Sequence, residues 1–246
     1  MKNIVIITMT LFFCATPLIA VAQNENHIVI FNDKSVSVED QTDTQNRRIF
    51  EIVNNACKAK KATIEVRFIN QKTSSITNVK TFFYTESIFN ASLYKKEDIE
   101  REKQFFGITI KRKRKRFAKS VLEFIKTYKA KARATEILTS LVPLSQTTGK
   151  NVDVYFFTDG IESSEYRQMD RRSFQNMQEA VQSAKKDAER IRRKFGLPKT
   201  ISNISSATFV LPLDMEAKGD ILSYLESYWK EVFASFGITK VTFETL

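Results

Sequence analysis

Short apolar runs rich in β-branched and aromatic residues alternate along the chain with segments of helical period. Such runs predict strands, and such periods predict amphipathic helices. Their alternation indicates a mostly parallel sheet covered by helices on both faces. The runs predicted as strands are His27–Asn32, Ala62–Asn70, Val79–Tyr84, Val152–Phe157, Ala207–Leu213 and Lys240–Glu244.

The predicted helices carry apolar residues at alternating steps of three and four. The clearest stripe runs from Phe174 to Phe195 and is followed by Gly196 and Pro198, which are typical of a helix C-terminus. Its other faces are charged or polar, so we expect the stripe to pack into the core. The remaining stripes span Ile49–Ala56, Phe117–Tyr128, Ile137–Leu144 and Ile221–Phe236.

One connection contains no helical pattern. The polar segment QKTSSITN, residues 71–78, joins the second and third predicted strands. Parallel strands need a long crossover, whereas antiparallel neighbours are joined by a short turn. We therefore predict an α/β fold with a doubly wound, mostly parallel six-stranded sheet, helices on both faces and one antiparallel edge strand.

The first two dozen residues differ from the rest of the chain. Lys2 precedes an apolar run from Ile4 to Ala22, and the run ends in an A-x-A pattern. These features are typical of a secretory signal peptide, so we predict a signal peptide over residues 1–22 and one domain over residues 23–246. An uncleaved membrane anchor is the alternative, because about 19 mostly apolar residues nearly span a bilayer. The short signal suits an exported bacterial protein of the periplasm or cell surface, with eukaryotic secretion as the other route.

The chain is basic, with a formal net charge of +11. Basic proteins favour nucleic acid, anionic membrane surfaces or acidic protein partners. An exported protein seldom meets nucleic acid, so the last two classes are favoured. Cys57 is the only cysteine after residue 22, which leaves no intrachain disulfide in the mature chain. The only histidine is His27, so we expect Cys57 to be a buried thiol and not a nucleophile.

Polar side chains follow two predicted strands directly. Asp33, Ser35 and Ser37 alternate after the first strand, and a TDG segment containing Asp159 follows the fourth. Ligands of such sheets bind at the carboxyl ends of the strands, where the strand order reverses. If these two strands are neighbours, hard oxygen donors cluster without imidazole or thiolate, which suits Mg²⁺, Ca²⁺ or Mn²⁺ and not Zn²⁺. The alternative is that Asp33 and Ser35 only cap the following turn.

In these motifs the sequence resembles a von Willebrand factor type A (vWA) domain with a metal-ion-dependent adhesion site. That family carries D-x-S-x-S after its first strand, a threonine at the start of the short helix before its fourth strand, and T-D-G after that strand. Here the first motif is DKSVS, the last is TDG, and RATEILTSL places Thr135 at the threonine position. The resemblance covers the chain from the first strand to the last and implies a Rossmann-like fold.

The resemblance also implies a ligand set and a mode of binding. The hydroxyls of Ser35, Ser37 and Thr135 would contact Mg²⁺, Ca²⁺ or Mn²⁺ directly. Asp33 and Asp159 would balance the charge, directly or through water. The ion would then stay electrophilic and accept an acidic side chain from a partner protein. The other threonines near the position of Thr135 are Thr139, Thr147 and Thr148.

Three hypotheses of function follow. The first is an exported binding module that engages a partner protein through the ion. The second is a metal-dependent hydrolase that uses the same oxygen cage, although the chain has no G-x-S-x-G motif and no phosphate-binding glycine loop. The third is a basic surface protein with a degenerate metal site, in which the run KRKRKR binds anionic lipid headgroups, lipopolysaccharide or an acidic partner.

The basic run of the third hypothesis is the strongest block of charge in the chain. Consecutive helical residues point in all directions, so the run by itself makes no single stripe. We expect it to project into water or to open the helix that continues at Phe117. Its members are Lys111, Arg112, Lys113, Arg114, Lys115 and Arg116.

Overall fold

The centre of the protein is one sheet of six strands. The computed structural model describes residues 25–35, 42–70, 73–75, 79–128, 134–149 and 151–246. The strands are β1 (Glu25–Asp33), β2 (Lys61–Ile69), β3 (Val79–Thr85), β4 (Val152–Phe157), β5 (Ile204–Leu211) and β6 (Val241–Thr245). Their order is β3-β2-β1-β4-β5-β6, and all neighbours are parallel except β2 and β3. The predicted fold class, with one antiparallel edge strand, is confirmed.

Helices cover both faces of this sheet. The α-helices of the described residues are α1 (Thr42–Ala56), α2 (Ile99–Thr127), α3 (Leu141–Gln146), α4 (Met177–Phe195) and α5 (Asp220–Ala234). Side chains alternate across a strand, so β1 contributes to two hydrophobic clusters. Ile28 and Ile30 pack with α1 and α2, whereas Val29 and Phe31 pack with α3, α4 and α5. Helix α4 is followed by Gly196 in the left-handed conformation, as its sequence predicts.

Helix α2 is longer than its apolar stripe predicts. The stripe begins at Phe117, but the helix begins at Ile99 and contains the whole basic run. The prediction that the run opens this helix is therefore wrong. No apolar stripe of helical period could be detected in the first half of α2. This half includes Gly107 and carries exposed apolar residues such as Phe105 beside polar ones.

Four phenylalanine rings stack across the parallel strands on the face covered by α4 and α5. Ring centroids lie 4.9 Å apart for Phe31 and Phe156, 4.8 Å for Phe156 and Phe209, and 5.0 Å for Phe209 and Phe243. The same residues are paired in the sheet. A slip of one residue would turn a ring to the other face, so the stack holds the register of β1, β4, β5 and β6. That register aligns the carboxyl ends of β1 and β4.

Several sequence predictions concern residues away from these strands. Cys57 is a free, buried thiol, as predicted, and burial raises its pKa to about 12. The proposed signal peptide over residues 1–22 lies outside the described residues and stays a prediction. Within the described part of the chain, no helix combines the length and apolar composition needed to cross a bilayer.

Candidate metal site

The candidate site lies where the strand order reverses. From β1 the chain passes to β2 and β3 on one side and then returns through α2 to β4 on the other. We call the end of the sheet formed by the carboxyl ends of the parallel strands the carboxyl edge, and the opposite end the amino edge. Asp33 is the last residue of β1, and Asp159 follows the last residue of β4 by two positions. Both aspartates therefore lie at the carboxyl edge, at the position where open α/β sheets bind ligands.

Asp33 connects the two central strands. Its Oδ1 accepts the backbone N–H of Ser35 at 2.8 Å, and its Oδ2 accepts the hydroxyl of Thr158 at 2.8 Å. The first bond is the local turn that the alternative interpretation of the sequence predicts. The second bond is not local, because Thr158 belongs to the TDG segment after β4. All three residues are buried. The carboxylate of Asp33 therefore both closes its own turn and contacts the loop after β4.

Asp159 is the second buried carboxylate of the carboxyl edge. Its Oδ1 accepts the backbone N–H of Ile161 at 2.9 Å, which closes a turn like the one at Asp33. Burial, together with the negative charge of Asp159, raises the pKa of Asp33 to about 6. The two carboxylates are therefore close enough to repel each other.

The glycine of the TDG segment is required by the turn. Gly160 has φ +76°, a conformation that side chains disfavour. Its carbonyl accepts the indole N–H of Trp229 at 2.8 Å, and Trp229 belongs to α5. This bond attaches the loop after β4 to the buried face of α5 and so limits the movement of Asp159.

Thr135 lies against the same loop. Its backbone N–H donates to the Oγ of Ser163 at 2.8 Å, and its carbonyl accepts the backbone N–H of Ser163 at 3.0 Å. Thr135 is buried and precedes a 3₁₀ turn that begins at Leu138 and continues into α3. Its backbone therefore lies beside the loop of Asp159, and its role as a metal ligand stays a prediction.

The competing threonines are placed differently. Thr139 donates its hydroxyl to the carbonyl of Glu136, and Thr147 donates to that of Pro143. A backbone group of Thr148 hydrogen-bonds with His27, whose pKa is lowered by burial, and His27 pairs with Val152 at the amino edge. Of these threonines, Thr135 is the one that the structure docks against the loop after β4.

Glu162 is a functional candidate that sequence reasoning missed. It is fully buried, and its Oε2 accepts the backbone N–H groups of Ile137 at 2.6 Å and Leu138 at 2.9 Å. It thereby caps the turn that follows Thr135. Burial raises the pKa of Glu162 to about 8. The only sequence signal was its place three residues after Asp159, because its partners are backbone groups that no motif displays.

The donor set of the carboxyl edge fits a hard divalent cation. It contains carboxylate and hydroxyl oxygens, which Mg²⁺, Ca²⁺ and Mn²⁺ prefer. A bound cation would also offset the repulsion between Asp33 and Asp159. Within the described ranges, no three His, Cys, Asp or Glu side chains form a metal-binding group, so the proposed site depends on hydroxyls as well as on these two carboxylates. Ser37 lies outside the described residues.

Comparisons with known proteins give no further identification of the chain. A scan against models of protein families finds no match, and a search of curated proteins finds none either.

Proposed function

We propose that this protein is a vWA-type binding module, exported from the cell, that engages a partner protein through a divalent cation. The ligands would be Asp33, Ser35, Ser37, Thr135 and Asp159, and the ion would be Mg²⁺ or, in its place, Ca²⁺ or Mn²⁺. The observation that carries the proposal is the bond between Thr158 and Asp33, because it brings the DKSVS and TDG motifs together at one edge of the sheet.

The chemistry of the donor set supports binding in preference to catalysis. The hydroxyls of Ser35, Ser37 and Thr135 are neutral ligands, so an ion that they hold directly, with the two carboxylates acting through water, would attract a carboxylate from a partner. Hydrolysis needs a base or nucleophile beside the ion. His27 lies at the amino edge, and Cys57 is a buried thiol of raised pKa. The described residues of the carboxyl edge therefore include no histidine that could act as a base and no cysteine that could act as a nucleophile.

Titration calorimetry with Mg²⁺ and Mn²⁺ tests the metal. We expect the unchanged protein to bind one ion per molecule. The variants Asp33→Asn and Asp159→Asn should give no binding heat. The control Asp170→Asn, which removes an exposed carboxylate, should bind as the unchanged protein does. Asparagine keeps an acceptor for the turn bonds of Ser35 and Ile161, so the two site variants should remain folded.

A second measurement tests the acceptance of an acidic side chain. Mn²⁺ bound to the protein relaxes water protons through the water molecules that it coordinates. Glutarate, a small model of a glutamate side chain, should displace such water and lower the relaxation rate, whereas glutaramide should not. An equal effect of both compounds, or of neither, would contradict the proposed mode of binding.

A further inference from the structure

Helix α2 carries an exposed stripe that is separate from the candidate metal site. Its members follow one another at steps of three and four, which places them on one face of the helix. We call this set the outer stripe of α2; it consists of Phe105, Ile108, Arg112, Lys115 and Lys119. All of its residues are exposed, whereas Ile110, Ala118, Val121 and Ile125 of the same helix are buried.

The structure divides the basic run into cations that hold α2 in place and cations that face outward. Arg114 binds the carboxylate of Glu86 at 2.5 Å, and the Nζ of Lys113 donates to the carbonyl of Thr85 at 2.8 Å. Arg112 and Lys115 make no such contact with a described residue, and both lie on the outer stripe. The segment from residue 103 to residue 122 contains eight Lys or Arg and no Asp or Glu, so Arg112 and Lys115 have no acidic neighbour one turn away on the helix.

The first half of α2 extends past the sheet. Lys113 and Arg114 contact Thr85 and Glu86, at the amino edge, while the ring of Tyr128 stacks on Phe68 near the carboxyl edge with centroids 3.8 Å apart. The residues before Lys113 therefore project by about 20 Å, at 1.5 Å per residue. This half is supported by the segment that follows β3, through the rings of Phe89 and Phe106 at 5.4 Å.

Large apolar side chains are exposed in this projecting region. The exposed fraction is 57% for Phe105 and 46% for Ile108, and it reaches 87% for Ile88 and 73% for Leu93 in the supporting segment. Six of the nine large apolar residues exposed among the described ranges lie between residues 83 and 108. Exposed apolar residues concentrated in one region mark an interaction surface more often than scattered ones do.

We propose that the outer stripe of α2 docks on the surface of an anionic lipid bilayer. Cations attract acidic headgroups, and apolar side chains beside them enter the boundary between headgroups and acyl chains. A bilayer explains the cations and the exposed Phe105 and Ile108 together, whereas a soluble acidic partner explains only the cations. The stripe includes no residue of the candidate metal site, so both surfaces can be occupied at once.

Vesicle sedimentation tests the proposal, with the chain from Gln23 to Leu246, which contains every described element and both hydrophobic clusters. EDTA is present throughout, so that the result does not depend on the metal site. We expect binding to vesicles of phosphatidylcholine with phosphatidylglycerol and none to phosphatidylcholine alone. Arg112→Gln combined with Lys115→Gln and Lys119→Gln should weaken binding at least about tenfold.

A matched variant controls for net charge. Lys185→Gln combined with Lys186→Gln and Arg193→Gln removes three exposed cations from α4, on the other face of the sheet. Its vesicle affinity should stay within about twofold of the unchanged protein. Equal losses for the α2 and α4 variants, or no binding to the acidic vesicles, would overturn the proposal.

A double variant separates a bilayer from a soluble acidic partner. Phe105→Ser combined with Ile108→Ser keeps every charge and should weaken vesicle binding several-fold, while binding to soluble polyglutamate stays unchanged. If vesicle binding is unaffected by this variant, the stripe recognises charge alone and the proposal fails. Thermal unfolding of each variant should match the unchanged protein, because all substituted residues are exposed.

Discussion

The hydroxyl of Thr158 donates to the Oδ2 of Asp33 at 2.8 Å and joins two loops that lie 125 residues apart in the chain. Both residues are buried, and each follows or ends a central strand of the sheet. Because the bond is removed from water and its acceptor carries charge at neutral pH, it contributes more than an exposed bond between neutral groups. The candidate site depends on this contact.

Thr158→Val should destabilise the protein by about 1–3 kcal/mol, because it leaves one oxygen of Asp33 buried without its donor. Valine has nearly the shape of threonine, so the loss reports the bonds of the hydroxyl, to Asp33 and from the backbone N–H of Gly160 at 3.2 Å, and not a cavity. The free energy of unfolding in urea measures it. Thr208→Val is the control, since the Thr208 hydroxyl pairs with that of Thr242 at 3.0 Å and no charge is involved. Equal losses for the two variants would contradict a special role for the contact with Asp33.

Mg²⁺ affinity should depend on pH through Asp33. The pKa of Asp33 is raised to about 6 by burial and by Asp159, and the metal competes with the proton for the carboxylate. We expect a constant affinity well above pH 6 and a loss of about tenfold per pH unit below it. Calorimetry between pH 5 and pH 8 measures this (a range of about one to two units on either side of the pKa). An affinity that does not change across that range would exclude Asp33 as a ligand.

Glu162 should make stability fall as pH rises. Its pKa is raised from 4.5 to about 8 by burial, so between these values the unfolded chain has released a proton that the folded protein keeps. The contribution of Glu162 to the free energy of unfolding is fully present below about pH 4.5. It declines by at most about 1.4 kcal/mol per pH unit up to about pH 8.

Glu162→Gln tests that slope. Glutamine keeps an oxygen for the N–H groups of Ile137 and Leu138 and removes the titration. Urea unfolding of both proteins at several pH values should show a smaller decline for the variant across this window. The same slope in both proteins would mean that Glu162 is ionised in the folded state.

Phe156→Ala should cost about 3–5 kcal/mol, because it empties the centre of the ring stack between Phe31 and Phe209. Phe83→Ala is the matched control, since Phe83 is an exposed phenylalanine of edge strand β3, and it should change stability by less than about 0.5 kcal/mol. Chemical denaturation measures both. A small loss for Phe156→Ala would show that the register of the central strands does not depend on the stack.

The strands and most helices could be predicted from the sequence because their periods are strong. The continuous apolar run of β1 is buried on both faces of the sheet, and the steps of three and four in α4 mark one buried face. The projecting half of α2 could not be predicted in this way. It buries little surface against the sheet, so nothing requires an apolar stripe on it, and its helical form appears only in the structure.

Part of the candidate site could be predicted from the sequence. Asp33, Ser35 and Asp159 were found because the carboxyl ends of parallel strands meet at one edge. That β1 and β4 are neighbours was an assumption of the sequence argument, and the sheet order confirms it. The sequence could not predict the role of Glu162 or the two bonds between Thr135 and Ser163. These contacts involve backbone groups whose positions depend on tertiary structure.

A crystal structure grown with Mn²⁺ tests the central claim most directly. An anomalous difference map locates the ion independently of any assumption about its ligands. We expect one strong peak at the carboxyl edge, at about 2.0–2.3 Å from oxygens of the site that includes Ser35, Thr135 and Asp159. Crystals that contain Mn²⁺ and show no peak there, or a peak held by other residues, would contradict the proposed function.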